Sequence, residues 1–399
     1  MIRTTPFHER TSTLNETQLW SHWSGQLAAN RYQMSDKLEY FAVRNAAGIF
    51  DSSPLYKYRI TGKDAEAFLA GVLARDIRGC APGQAQYTCW LDDRGFVIED
   101  GVILHTARNE YLLTSAEANL AYFEDRIGRH DARIEEVSHD IGTLALQGPR
   151  SRDLLRKLVP QMGSIPYFGL ARGEIGGAAV TVSRTGYTGD LGYEIWTEST
   201  DALHVWDALW DNVEGHGVLP FGLAALYMLR IEAGLLLLDA DFDSSRYAWN
   251  DAHRSSPIEL GWSWMFKDLS GDDRAFIGRK ALQREIAEKT SRWTMRGLVV
   301  DWRDYDRVYG DAGLIPPKDH TPIVEDWMVY DDDYTRVGYA TSFMYSPMLQ
   351  RHIAIARVRP DFAAVGTKVN LEFTVDHHYE QVAAHVARLP LYNPQRKTV

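Results

Sequence analysis

From Arg296 onward the sequence reads almost entirely as short strands, after a first part in which strands and helices alternate. Strand-like stretches cover 297–300, 336–342, 353–358 and 368–375. Strands segregated in this way must bury their apolar faces on one another, so they require a β-rich unit of their own behind a boundary near Lys289. Ahead of it, Trp20, Trp23 and Leu27 at helical spacing predict a helix over 16–31. Further helical patterns cover 64–73, 149–158, 201–212 and 223–232, and strand-like stretches cover 55–61, 96–104, 111–115, 143–147 and 179–184. A chain of 399 residues exceeds one hydrophobic core, so two or three packed domains are expected.

Charge and cysteine content exclude several classes. A net charge of -11 repels phosphate backbones and anionic lipid, so neither nucleic acid nor a membrane is an expected partner. No run of about 18 apolar residues occurs. Met1 to Pro6 lacks the apolar centre of a signal peptide, which makes the cytoplasm the expected location. Cys80 and Cys89 stand without metal-ligand spacing and read as free thiols of a reducing compartment. There is no GxGxxG after a strand, no Walker loop, no HExxH and no nucleophile elbow. His377 and His378 are adjacent, so on a strand they face opposite ways and no metal site is expected there. With no flavin or nicotinamide module recognisable, any redox chemistry needs a second protein to hold the electrons.

Three short stretches carry polar residues inside apolar patterns. Glu99 and Asp100 interrupt an apolar strand, and their side chains point to opposite faces, so one must face inward. A buried carboxylate is costly unless hydrogen-bonded or used; the alternative is a strand-end bulge with both acids in water. The stretch 184–195 gathers three glycines and two tyrosines around Glu194, as a tight hairpin or as a close approach to a ligand. Arg230 lies near the end of a helix stopped by Gly234, facing either a carboxylate ligand or an internal acid.

Read together with other segments, these stretches resemble the T-protein (aminomethyltransferase) family of the glycine cleavage system along nearly the whole chain. The resemblance is carried by Ala42-Val43-Arg44, Ala47-Gly48-Ile49-Phe50-Asp51, Gly83-Gln84-Ala85-Gln86-Tyr87-Thr88 and Leu146-Gln147-Gly148-Pro149. It continues through 184–195, 229–234, Ser256-Pro257-Ile258-Glu259, Phe276-Ile277-Gly278-Arg279 and Ser346-Pro347. It implies an α+β fold of three domains in a cloverleaf around a central folate channel. The domains expected are 1–50 with 141–289, then 51–140, then a β-rich C-terminal domain over 290–399.

The same resemblance implies residue roles, with tetrahydrofolate as cofactor and no metal. Asp100 matches the family's essential aspartate, near the reacting end of the pterin, where a carboxylate stabilises developing positive charge. Glu194 matches the residue that accepts hydrogen bonds from the pterin's N3–H and 2-amino edge. Tyr87 and Trp264 match wall positions for a flat ring. Leu113 and Ser115 are placed where a strand meets the folate, Arg230 as a cation at the ligand, and Tyr187 as a further contact.

The departures fall on the donor side. The expected Gly-Gly-Trp-x-Met-Pro stretch is absent before Ala42, Ser52-Ser53-Pro54-Leu55 replaces Val-Ser-His-Met, and Ser115 stands where asparagine is expected. An insertion over 244–255 adds Trp249, Asn250 and His253. A retained cofactor half with a rebuilt donor half is similar to the family's methyltransferase branch, which moves a methyl group from sulfur or oxygen to N5 of tetrahydrofolate. Two enzyme readings follow: a demethylase-like transferase acting on a small methylated donor, and an aminomethyltransferase acting on a lipoylated carrier, the H-protein. Twelve tryptophans suit an aromatic or onium donor, or simply fill the core. A non-catalytic folate-binding protein of iron–sulfur maturation requires a cysteine motif, and no cysteine follows Gly234. One half of a multi-subunit amine oxidase, with a flavin partner, is the remaining alternative.

Overall fold

The strand-rich C-terminal part closes on itself. In the computed structural model, which describes residues 3–213, 217–266, 269 and 274–399, six strands there form a closed barrel. They pair in the order Thr294–Val300, Arg351–Val358, Arg336–Ser346, Trp327–Tyr330, Lys368–Val375, His378–Ala387. Leu298, Val329, Ala354, Ala356 and Leu371 fill the interior, as a barrel this narrow permits, and closure leaves no open edge. Two of these strands, Trp327–Tyr330 and His378–Ala387, escaped the sequence pattern. His377 lies in the turn at φ +66 and His378 opens the last strand; among the described residues no three His, Cys, Asp or Glu side chains gather as a metal site. Met1 and Ile2 of the N-terminal stretch lie outside the described residues.

Ahead of the barrel lie two larger sheets. The six-stranded one runs Leu170–Ile175, Ala178–Ser183, Gly192–Glu198, Ile141–Gln147, Ala47–Asp51, Val218–Pro220, with only the last pair parallel. Every residue of Ile141–Gln147 is buried because both faces are covered: Leu144 and Leu146 pack under the helices Ser151–Leu158 and Ala202–Val213, and Ala145 faces the centre of the molecule. The five-stranded antiparallel sheet runs Gln84–Leu91, Val97–Ala107, Glu110–Ser115, Tyr56–Thr61, Arg133–Glu136. Helices Ala65–Val72 and Leu120–Ile127 cover one of its faces, where Tyr58, Phe68, Trp90 and Phe123 are buried together. No helix among the described residues is long and apolar enough to cross a membrane.

The helix expected over 16–31 is instead a hairpin of Trp20–Trp23 with Gln26–Ala29. Ser24 and Gly25 both adopt positive φ, +46 and +80, the conformation that lets a two-residue turn follow the twist of paired strands. The apparent helical spacing came from side chains on two separate strands. A short helix, His8–Leu14, precedes the hairpin.

Helix Leu223–Ala233 ties the units together. It is buried almost all round and packs on helix Asp36–Asn45 and on two barrel strands. Gly234 at φ +63 ends it, with Leu235 N donating to Arg230 O at 3.0 Å. Its Glu232 collects four bonds: Tyr40 and Ser346 hydroxyls at 2.5 Å, and Arg44 Nε and Nη2 at 3.0 and 2.7 Å. Arg44 Nη1 also reaches Asp190 at 3.5 Å, and Arg396 joins Asp190 at 2.7 Å. The recurring sequence stretches around Arg44, Asp190, Glu232 and Ser346 are therefore one buried network, in which each charge is paired.

Candidate functional site

Strand alternation separates the two adjacent acids. Glu99 faces the helix-covered side of the five-stranded sheet and is 1% exposed. It accepts from the backbone N–H of Ala116 and of Glu117 (3.0 Å) and from the side chain of Asn119. Burial, then the nearby Asp100 charge, pushes its carboxyl well above the usual range. Glu99 is therefore neither solvated nor idle: it fastens loop 116–119. Glu99→Gln places an amide N–H against backbone donors and is expected to destabilise the fold by about 1–3 kcal/mol, with turnover per folded molecule retained. Urea unfolding combined with turnover checks this.

Asp100 points the other way, together with Tyr87 and Cys89 of the neighbouring strand. Tyr87 OH donates to Asp100 Oδ2 at 2.7 Å. Burial raises the Asp100 carboxyl to about 6, against the opposing effect of that hydrogen bond. The Cys89 thiol is pushed well up by burial and by the Asp100 charge, so it stays protonated and is a poor nucleophile. Tyr87 meets Trp262 edge-on at 5.8 Å and lies near-parallel to Trp264 at 6.3 Å. Trp264 keeps 54% of its surface exposed beside Tyr87. Tyr187 completes the group: its hydroxyl donates to Leu236 O, and its ring stands close enough to feel the Asp100 charge.

The six-stranded sheet supplies the opposite wall. Trp196 packs against Ala85, Leu104 and Leu112, which lie on the Asp100 face of the other sheet. Glu194, two residues before Trp196, projects from the same face of its strand into the layer between the sheets. Thr185 Oγ1 donates to Glu194 Oε2, and burial raises this carboxyl. The loop over 184–191 is shaped by Gln147, whose amide donates to Thr185 O (3.2 Å) and Tyr193 O (3.3 Å) and accepts from Thr188 Oγ1 (2.8 Å). A Cβ on Gly186 or Gly192 would fall within 2.1–2.3 Å of that amide, which is why glycine stands at both positions.

Lys57 lies in the same layer, fully buried, and went unnoticed in the sequence. Its Nζ donates to Ser53 O (2.8 Å) and Leu55 O (2.9 Å). Burial lowers its ammonium to about 7, while Asp51 and Glu194 pull it back up. In an alternating strand with Tyr58 and Ile60 on the apolar face, Lys57 falls on the polar set and reads as solvated; only the second sheet reveals its burial.

Three residues expected at the ligand are placed elsewhere. Leu113 shares its face with Glu99 and packs with Tyr58 and Trp90. Ser115, two residues on, has the same orientation and donates to Glu117 O at 2.6 Å. Both follow from the pleat, since Thr114 takes the Asp100 face. Arg230 is fully buried and ion-paired to Asp241, with Nη2 donating to Ser342 Oγ at 2.7 Å. Its partner is the internal acid. The insertion over 244–255 braces the Asp100 strand: Ser245 N donates to Val97 O (2.9 Å) and Val97 N to Ser255 O (2.8 Å). Tyr247 and Trp249 point outward.

The GCVT N-terminal domain family matches residues 12–267, and the glycine cleavage T-protein C-terminal barrel domain family matches residues 312–393. An aminomethyltransferase of Saccharopolyspora erythraea is 32% identical over 98% of this chain and 98% of its own. The gamma subunit of a heme-dependent oxidative N-demethylase from Ectopseudomonas mendocina is 30% identical over 94% of this chain and 92% of its own. A trimethylamine-oxide aldolase of Ruegeria pomeroyi is 31% identical over 99% of this chain, which spans 48% of that longer protein. In fold, the chain matches the glycine cleavage system aminomethyltransferase T of Bartonella henselae with a TM-score of 0.81, at 22% identity over 98% of this chain and 99% of that one.

Proposed function

Because the chain belongs to the glycine cleavage T-protein family, an enzyme family of folate-dependent one-carbon transferases, we propose that it moves a methyl or aminomethyl group from a small donor to tetrahydrofolate. The observation that carries this reading is the pair of carboxylates, Asp100 and Glu194, projecting from two sheets into one layer beside an aromatic wall. The two free buried thiols support a reducing, cytoplasmic setting. The strand membership of the three sheets supports units at 1–50 with 141–289, 51–140 and 290–399.

The residues present fit a pterin. Glu194 gives one oxygen to Thr185, leaving Oε1 to accept from a ligand's paired N–H donors. Tyr87 and Trp264 offer ring faces, with Tyr187 beside them. Tetrahydrofolate, when bound, supplies the nitrogen that takes up the one-carbon unit. Asp100, ionised at neutral pH and held by the Tyr87 hydroxyl, stabilises positive charge developing next to it. The two aromatic walls orient and keep water out, so positioning provides much of the acceleration. Leu113, Ser115 and Arg230 act behind this surface.

Glu194→Ala is expected to raise the tetrahydrofolate dissociation constant about ten-fold or more, since two charge-assisted bonds are lost; calorimetry that finds unchanged affinity removes Glu194 from the site. Mass spectrometry of the folate product after incubation with a donor panel tests the function itself. Methyltetrahydrofolate from a small donor supports the first reading. Methylenetetrahydrofolate formed only with a lipoylated carrier supports the second, which the full-length aminomethyltransferase relative favours. Neither product, from any donor, sinks both.

A further inference from the structure

Buried and half-buried arginines in this molecule spend their donors inside the fold: Arg44 on Glu232 and Asp190, Arg230 on Asp241, Arg292 on Glu259, and Arg357 on the Asp241 carbonyl and the Ser255 hydroxyl. Arg75, half-buried beside Tyr87, differs in that its guanidinium makes one hydrogen bond among the described residues. Its Nη1 donates to the backbone carbonyl of Tyr87 at 3.3 Å, and its guanidinium lies 5.3 Å from the ring centroid of Trp264. Among the described residues no carboxylate pairs with it, in a chain whose acids outnumber its Lys and Arg by 54 to 43. Partial burial has taken some of the water from this cation without an acid to compensate, and its remaining N–H groups form a planar fork.

We propose that Arg75, backed by the exposed face of Trp264, is a carboxylate-binding subsite at the rim of the Asp100–Tyr87 site. One tyrosine spans the two: Tyr87 accepts from Arg75 at its carbonyl and donates to Asp100 at its hydroxyl. The subsite therefore suits a ligand that reacts at one end and carries a carboxylate at the other. That carboxylate belongs either to the glutamyl end of the cofactor or to the one-carbon donor. The Trp264 ring, 5.3 Å from the guanidinium carbon, holds the cation in place, and the planar fork of an arginine can meet both oxygens of a carboxylate at once. The inference rests on the function proposed above.

The test uses the full chain and calorimetry with two matched pairs of probes. One pair is tetrahydrofolate and tetrahydropteroate, which lacks the glutamate. The other is N,N-dimethylglycine and its amide. Arg75→Gln is expected to weaken the carboxylate-bearing member of one pair by about 10- to 100-fold, the range for a charge-assisted bidentate contact, and to leave the other member unchanged. Loss in the folate pair assigns the subsite to the cofactor's tail; loss in the donor pair assigns it to the donor. Arg75→Lys, which keeps charge but not the fork, is expected to fall between and guards against a folding artefact. If Arg75→Gln weakens both members of each pair equally, or none, the subsite is overturned. Failure of the wild type to bind either folate probe refutes the proposed function, while the donor pair still reports on Arg75. A wild type that binds none of the four overturns both.

Discussion

Asp100→Asn is expected to lower turnover by about 10²-fold or more while tetrahydrofolate still binds, because the change keeps the side chain's shape and removes the charge placed for the transfer. The Tyr87 hydroxyl that holds Asp100 retains an acceptor in the asparagine. The wild-type pH profile is a second readout. With its carboxyl raised to about 6, Asp100 loses its charge as pH falls through that value, so turnover is expected to drop on the acid side there. The sign separates this from acid unfolding. A carboxyl raised in the folded chain disfavours folding while ionised, and that cost is relieved as pH falls from about 6 toward the ordinary 3.8. The contribution of this group to stability therefore grows while turnover falls. An Asp100→Asn variant that matches the wild type, or a Glu99→Gln variant that is the dead one, sinks the assignment.

Arg230 gives the other large effect, on stability. Arg230→Met leaves Asp241 buried without its cation and is expected to destabilise the fold by about 3–5 kcal/mol. Adding Asp241→Asn removes the stranded charge and still offers an oxygen to the Thr341 and Ser342 hydroxyls, which donate to it at 2.5 and 2.8 Å. The double variant is expected to recover much of the loss. Urea midpoints of the three proteins, with folate affinity by calorimetry, make the comparison. A stable Arg230→Met that loses only folate affinity means that Arg230 is a ligand cation after all, released from Asp241 on binding.

Much of this site was legible in the chain because its signals are local. The Glu99-Asp100 pair in an apolar strand announces that one acid turns inward, and the pleat decides the geometry of both. The glycines around Glu194 signal a close approach, which proves to be the amide of Gln147. The strand-rich pattern after Arg296 foretold a β-rich unit but not its closure into a barrel, and it missed two of the six strands and the helix Trp302–Asp311. What stayed hidden depends on partners distant in sequence. Arg230 showed a buried cation and two possible partners, and only the fold brings Asp241 and Ser342 to it. Lys57 has the pattern of a surface residue until a second sheet covers it. Arg75 has no pattern at all, because its interest lies in the acid it lacks. At Leu113 and Ser115, strand alternation read from Thr114 would have given the correct face.

The brace at Val97 limits how this enzyme can be remodelled. Residues 245 and 255 bind the backbone carbonyl and N–H of Val97, the first residue of the Asp100 strand, and Ser255 is held in turn by Arg357 of the barrel at 2.7 Å. The insertion is thus no free appendage on which new donor preferences are written separately. A loop of different length transplanted from a relative pulls on a strand whose fourth residue is Asp100, and through Arg357 on the barrel as well. Changing the loop at this position therefore shifts the Asp100 strand at the same time, and a transplant that drops the bonds to Val97 is expected to need compensation at Arg357.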